Sequence, residues 1–248
     1  MNTTAGEFRY TTEKVILDAE HFTPNQIFNL APLIGSLVYA IKIGYSADLP
    51  DAQFIEKLKK AGFNRVWLDH NVITSPETAG LYAYMAKNAG ADILSVYAAG
   101  GAAMMRAVVE NGPKEIMATT LLATHNEEDV RDIHGNAPDL AARSLASIAK
   151  QAGVHGLVCP NRWIGSLATG EFKKLKLVSS RIIPPYKKTS LLPEYSPRSA
   201  IINGASHLLI SAPLIDQVDP RATFDLIETE VSAARREQIG IKVLKEND

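Results

Sequence analysis

The feature that most constrains this chain is a repeated beat: a short apolar run rich in β-branched residues, a polar turn, then an amphipathic stretch, eight times over. Lys14-Val15-Ile16-Leu17-Asp18 opens it, and Thr23-Pro24, a capping threonine before a first-turn proline, starts a helix to about residue 34. The spacing predicts further strands over 37–43, from Val66, and over 92–97, 115–121, 156–159, 175–178 and 207–210. Helices are predicted over 50–61, from Ser75-Pro76 to 88, after Gly100-Gly101 to 109, from Asn126, over 138–151 and 197–203, and after Asp219-Pro220, the last carrying Phe224, Ile227 and Val231 on one face.

Apolar strands separated by helices pair in parallel and need helices on the sheet to cover them. Eight such units in 248 residues match the size and count of a (β/α)8 TIM barrel. The competing arrangement is a doubly wound open sheet, but no glycine-rich dinucleotide turn follows the first strand. With 46% hydrophobic residues the chain can fill one large core, so 1–248 reads as a single barrel domain with 1–13 as a polar lead.

Charge narrows the partners. A net charge of -1 with no basic block gives no electrostatic basis for binding nucleic acid or an anionic membrane. No apolar run reaches the roughly 18–20 residues of a membrane span. Cys159 is the only cysteine and the opening residues lack a signal-peptide pattern, which points to a reducing cytoplasm. The histidines show no ligand spacing, so no transition-metal site is expected.

Barrel chemistry sits at the carboxyl ends of strands. The candidates there are Asp18, Lys42, Asp69, Asn71, Tyr97, Thr124, Cys159, Ser179 and Ser211. Strand alternation puts Trp67, Asp69 and Asn71 on one face and turns His70 toward the helices. Lys42 and Asp69 carry two readings: an acid–base or sugar-hydroxyl site, or an ion pair that satisfies the barrel mouth. Cys159 reads as a small core residue.

Read together, these pieces resemble the orotidine 5'-phosphate decarboxylase family. The resemblance rests on Val-Ile-Leu-Asp at 15–18, Ile-Lys-Ile-Gly at 41–44, Trp-Leu-Asp at 67–69, Gly-Ala-Asp-Ile-Leu-Ser-Val at 90–96, Gly100-Gly101 and Gly-Leu-Val-Cys at 156–159. Ser196-Pro197, Gly204-Ala205, Pro213 and Asp219-Pro220 continue it in order. It implies a barrel of the ribulose-phosphate-binding type, a homodimer, a phosphorylated nucleotide ligand and lyase chemistry without a cofactor.

The resemblance also exposes departures. The family's third strand carries Asp-x-Lys-x-x-Asp, completed by a lysine from the second strand. Here Lys42 and Asp69 match, Asn71 stands in place of the proton-donating lysine, and Thr74 in place of the second aspartate, which the family supplies across the dimer. Decarboxylation at a vinylic carbon leaves a carbanion that needs an ammonium beside it, and loss of a positioned general acid costs about 10²- to 10⁴-fold. Lys42 is a substitute donor only if it comes within roughly 3 Å of the target carbon.

The phosphate end departs as well, with Ser211-Ala212 where the family has Gly-Arg and Ser179-Ser180-Arg181 where it has Thr-Pro-Gly. Arg181, Lys187 and Lys188 are candidates for a relocated anion site, although a lysine pair in a polar loop is equally a solvated surface. Thr119, Thr120 and Thr124 lie where the family reads its pyrimidine, Thr124 matching best, although a core threonine bonded to backbone is the competing reading. Lys42 takes the family's sugar side, where Asp18 and Asp69 join it as candidates to bind sugar hydroxyls. Three functions follow: a diverged lyase-type enzyme on a nucleotide or sugar-phosphate-like ligand, the parent decarboxylase of pyrimidine biosynthesis, or a non-catalytic binding relative.

Overall fold

The computed structural model of the protein describes residues 14–44, 52–183, 195–211 and 219–246. Its strands are β1 (Val15–Asp18), β2 (Ala40–Ile43), β3 (Val66–Val72), β4 (Ile93–Tyr97), β5 (Glu115–Thr119), β6 (Gly156–Pro160), β7 (Lys176–Ile182) and β8 (His207–Ser211). They close into one ring in chain order, every pair parallel, with β8 returning to β1 through Val15↔Leu208 to Asp18↔Ser211. The helices are α1 (Pro24–Ile34), α2 (Ala52–Lys60), α3 (Pro76–Asn88), α4 (Gly101–Asn111), α5 (Glu127–His134), α6 (Pro138–Gln151), α7 (Asn161–Ile164), α8 (Pro197–Ile202) and α9 (Pro220–Glu246). A (β/α)8 barrel is therefore the fold.

Local chemistry explains where the helices begin. Thr23 and Gln26 form a reciprocal capping box at α1, Asn126 and Asp129 do the same at α5, and Ser75 and Ser196 cap α3 and α8 ahead of prolines. Each cap satisfies backbone N–H groups that the helix cannot, and its loss costs about 1 kcal/mol.

Strand alternation divides the core in two. Ile16, Ala40, Trp67, Ile93, Met117, Val158, Val178 and Leu209 fill the barrel interior, one from each strand. Their neighbours Leu17, Ile41, Leu68, Leu94, Ala118, Leu157, Leu177 and Leu208 point outward into the layer under the helices. The interior is thus solid beneath the mouth, and any ligand is confined to the strand ends.

Two strands run irregularly. β3 shifts register against β4 between Leu68 and Val72, and β7 shifts against β8 between Ser179 and Ile182. Each shift contains a non-glycine residue in the left-handed region, Asn71 at φ 42° and Arg181 at φ 62°. Three strands lie between β3 and β7 on either side of the ring, so the two strained residues stand on opposite sides of the barrel mouth. Such conformations cost about 1–3 kcal/mol and persist where surrounding contacts enforce them.

β7 is longer than the sequence predicts. Ser180 and Arg181 read as loop, but Pro160↔Ser180 on one side and Ile182↔Ile210 on the other hold their backbone in the sheet.

Candidate functional site

The mouth opens on a cavity of about 750 Å³ lined by, among others, Asp18, Glu20, Lys42, Asp69, Asn71 and Arg181. Lys42, at the end of β2, is its charged floor and is only 3% exposed. Its ammonium contacts Asp69 Oδ2 directly, Asp18 Oδ1 at 3.2 Å and Glu20 Oε2 at 3.4 Å. Burial opposes this charge, but Asp69 and Asp18 reverse the effect and hold the ammonium above the ordinary lysine range. The Asp18 carboxyl is pushed up by burial, against the pull of Lys42.

A hydrogen-bonded chain fixes the other half of the floor. Trp67 Nε1 donates to Ser95 Oγ at 2.6 Å, and Ser95 Oγ donates to Asp69 Oδ1 at 2.5 Å. Asn71 Nδ2 donates to the same oxygen at 3.1 Å, while Thr119 Oγ1 donates to Asn71 Oδ1 at 2.6 Å. Thr119 therefore sets the amide's orientation: its carbonyl is occupied, and position 71 offers the cavity an uncharged N–H donor. Asparagine is among the few side chains that tolerate the left-handed turn required here.

On the far wall Arg181 reaches from β7 to donate to Ala123 O at 3.0 Å, with its guanidinium 5.2 Å from the Tyr195 ring centroid. Arg162, on α7, stacks 4.1 Å over Trp163 and donates to His125 O, so two guanidiniums grip the turn that carries Thr124. Thr124 lines the cavity, as do Thr119 and Ser180.

Of the residues singled out from sequence, Lys42, Asp69, Asn71, Asp18, Thr124 and Arg181 come together around this one cavity. Thr74 is exposed beyond β3 and does not line it, so within one chain it stands apart from Lys42. Lys187 lies outside the described residues, and of Ser211 only the backbone is described, paired with Asp18 at the end of β8. His70 packs as alternation predicts, its Nδ1 against Tyr82 OH on α3, and burial lowers its pKa. Cys159 is fully buried, its thiol pushed up to about 12 by burial, and so lacks the thiolate a nucleophile needs.

Glu20 and Ser95 escaped the sequence reading. Ser95 had a signal, a lone hydroxyl inside the apolar run Ile93-Leu94-Ser95-Val96; Glu20 had a weaker one, two residues beyond Asp18. Among the described residues no group of three or more His, Cys, Asp or Glu is arranged to hold a metal ion, and no helix is long and apolar enough to cross a membrane.

Residues 13–227 match the sequence model of the orotidine 5'-phosphate decarboxylase / HUMPS family. An orotidine 5'-phosphate decarboxylase of Nitrosomonas eutropha is 27% identical over 227 residues, covering 89% of this chain and 98% of that one. One of Alkalilimnicola ehrlichii is 31% identical over 202 residues, covering 78% and 86%. In structure, the Lactobacillus acidophilus orotidine 5'-phosphate decarboxylase superposes with a TM-score of 0.72 at 21% identity, covering 88% of this chain and 98% of that one. An uncharacterized conserved protein from Geobacillus kaustophilus gives 0.71 at 21% identity, covering 88% and 99%.

Proposed function

The chain belongs to the orotidine 5'-phosphate decarboxylase / HUMPS family, and from that premise we propose that it is a diverged lyase-type enzyme acting on a nucleotide or sugar-phosphate-like ligand. The observation that carries this reading is the floor of the mouth: a buried ammonium, Lys42, bound by Asp18, Glu20 and Asp69, with the uncharged Asn71 beside it. Such a floor binds and polarises hydroxyl groups through Lys42, Asp18 and Asp69. Asn71 donates a hydrogen bond to developing negative charge on oxygen, which is weaker help than an ammonium gives to carbon. The anionic end of the ligand goes to Arg181 on the opposite wall, with Lys187 and Ser211 as further contacts, and Thr124 reads the ring or chain between the two ends.

This reading takes the protein to be a cytoplasmic homodimer joined across the mouths, the arrangement in which Thr74 reaches a partner's site. Exposed Ile73, Leu81, Tyr84 and Met85, along and just before α3, supply an apolar face for it. Sedimentation at micromolar concentration is expected to give a dimer, and a monomer would remove this part.

A second reading, orotidine 5'-phosphate decarboxylation itself, is favoured by the names of the relatives. It requires Lys42 to donate the proton, whereas its ammonium faces three carboxylates. One experiment separates the readings. The purified protein is assayed at high concentration for carbon dioxide release from orotidine 5'-phosphate, and nucleoside monophosphates and sugar phosphates are screened for a rise in melting temperature. Ligand-dependent stabilisation without carbon dioxide release supports the diverged enzyme; release abolished by Lys42→Ala supports the parent reaction. A flat screen together with no carbon dioxide release overturns both.

A further inference from the structure

We infer that Glu20 is the removable cover of Lys42 and the residue that makes the site select ligands with adjacent hydroxyl groups; the ligand half of this inference rests on the function proposed above. An ammonium has three N–H donors, and Lys42 turns toward three carboxylates, so a ligand atom reaches it only by displacing one of them. The three are not held equally. Asp69 also accepts from Ser95 and Asn71 and makes the shortest contact with Lys42. The Asp18 side chain is 14% exposed and accepts from the Glu20 backbone N–H at 3.2 Å. Glu20 makes the longest contact, 3.4 Å, its side chain is 46% exposed, and it sits on the longer, more flexible stem.

A second observation shows that the cover is built into the fold. Glu20 reaches Lys42 by lying across Gly44 at the end of β2, where a Cβ on residue 44 would fall 2.4 Å from Glu20 Cγ. Any side chain at 44 pushes Glu20 away. With Glu20 in place the floor holds three carboxylates to one ammonium, an excess of negative charge that turns the anionic end of a ligand toward Arg181. An incoming hydroxyl takes the place of Glu20 on Lys42 by donating to Asp18 or Asp69 and accepting from the ammonium. The freed carboxylate then accepts from the neighbouring hydroxyl. A ligand lacking that second hydroxyl leaves Glu20 without compensation and binds more weakly.

The test uses Glu20→Gln and Gly44→Ala, with two readouts. First, acylation of Lys42 by an amine-reactive reagent, followed by peptide mass spectrometry without any ligand, should rise severalfold in both variants, since one loses the carboxylate and the other displaces it. Unchanged labelling in both overturns the inference. Second, ribose 5-phosphate should stabilise the wild-type protein against heat more than 2-deoxyribose 5-phosphate does, and both variants should lose that difference. Equal stabilisation of the wild type by the two sugars overturns the selectivity. If neither sugar phosphate nor any nucleotide stabilises the wild type, the proposed function falls and the selectivity with it, while the labelling still decides whether Glu20 covers Lys42.

Discussion

The two ends of the barrel each carry a lysine bound to carboxylate, yet they are built to opposite purposes. At the base, the Tyr39 hydroxyl donates to Glu115 at 2.6 Å, and Lys176 donates to Glu115 at 2.7 Å and to Tyr39 at 2.9 Å. Arg65 stacks 4.4 Å over the Tyr39 ring, and His207 packs edge-on against it at 4.5 Å. Tyr39 belongs to the packed interior with Ile16, Trp67 and Leu209, and strand-start residues surround it in ordinary strand geometry. At the mouth, carboxylates outnumber the ammonium, a cavity stands over them, and Asn71 and Arg181 hold left-handed backbone at two register shifts. What separates a site from a plug is not polarity but surplus: among the described residues, unmatched charge, open volume and strained non-glycine backbone occur together at the mouth.

The contrast is sharpest at the two lysines. Lys42→Met leaves carboxylates facing one another without their cation in a buried place, so urea denaturation should show a loss of about 3–5 kcal/mol. Lys176→Met at the base, where the lysine is a third exposed, should cost less than about 1 kcal/mol. Equal losses would erase the distinction.

The next effect is at the strained residue of β3. Asn71→Lys places an ammonium beside Asp69 and tests the divergence proposed for this site. Carbon dioxide release from orotidine 5'-phosphate should then rise about 100-fold over the wild-type protein, the low end of what a positioned general acid contributes. No rise would overturn the proposal that position 71 carries a divergence from decarboxylation.

The base should respond to pH instead. Burial pulls the His207 imidazole down to about 3, with Lys176, Lys14 and Arg65 adding to the effect and Glu115 opposing it. The unfolded chain takes up that proton near 6.5 and the folded one does not, so stability is undiminished above about 6.5 and falls as pH drops toward about 3. Melting curves between pH 7 and pH 5 should show the loss, and His207→Gln should recover about 1–2 kcal/mol of it at pH 5. A smaller effect than that of His207 is Tyr39→Phe, which removes the hydroxyl bridging Glu115 and Lys176. It should cost about 1 kcal/mol in denaturation and leave ligand-induced stabilisation at the mouth unchanged.

Much of the frame was legible residue by residue. The starts of α1, α3, α5, α6 and α8 fell where Thr23-Pro24, Ser75-Pro76, Asn126, Pro138 and Pro197 placed them, because capping and proline geometry act over three or four residues. Alternation along β3 separated Asp69 and Asn71 from His70 for an equally local reason. Strand ends were less legible: β2 begins only at Ala40, and β7 runs on through Arg181, since pairing with neighbours ends a strand and those neighbours are distant in sequence.

The sequence by itself determined the eightfold alternation, the parallel closed sheet it requires, and the strand ends at which Asp18, Lys42, Asp69 and Asn71 stand. All of these follow from period and turn chemistry. Only the tertiary structure decided what those groups do to one another. Thr119 turns the amide of Asn71, Ser95 fixes Asp69, and Glu20 lies over Gly44 to cover Lys42. Each of these contacts joins different strands or the segment beyond one, and hydrogen bonds and steric exclusion act only across the few ångströms that ring closure creates.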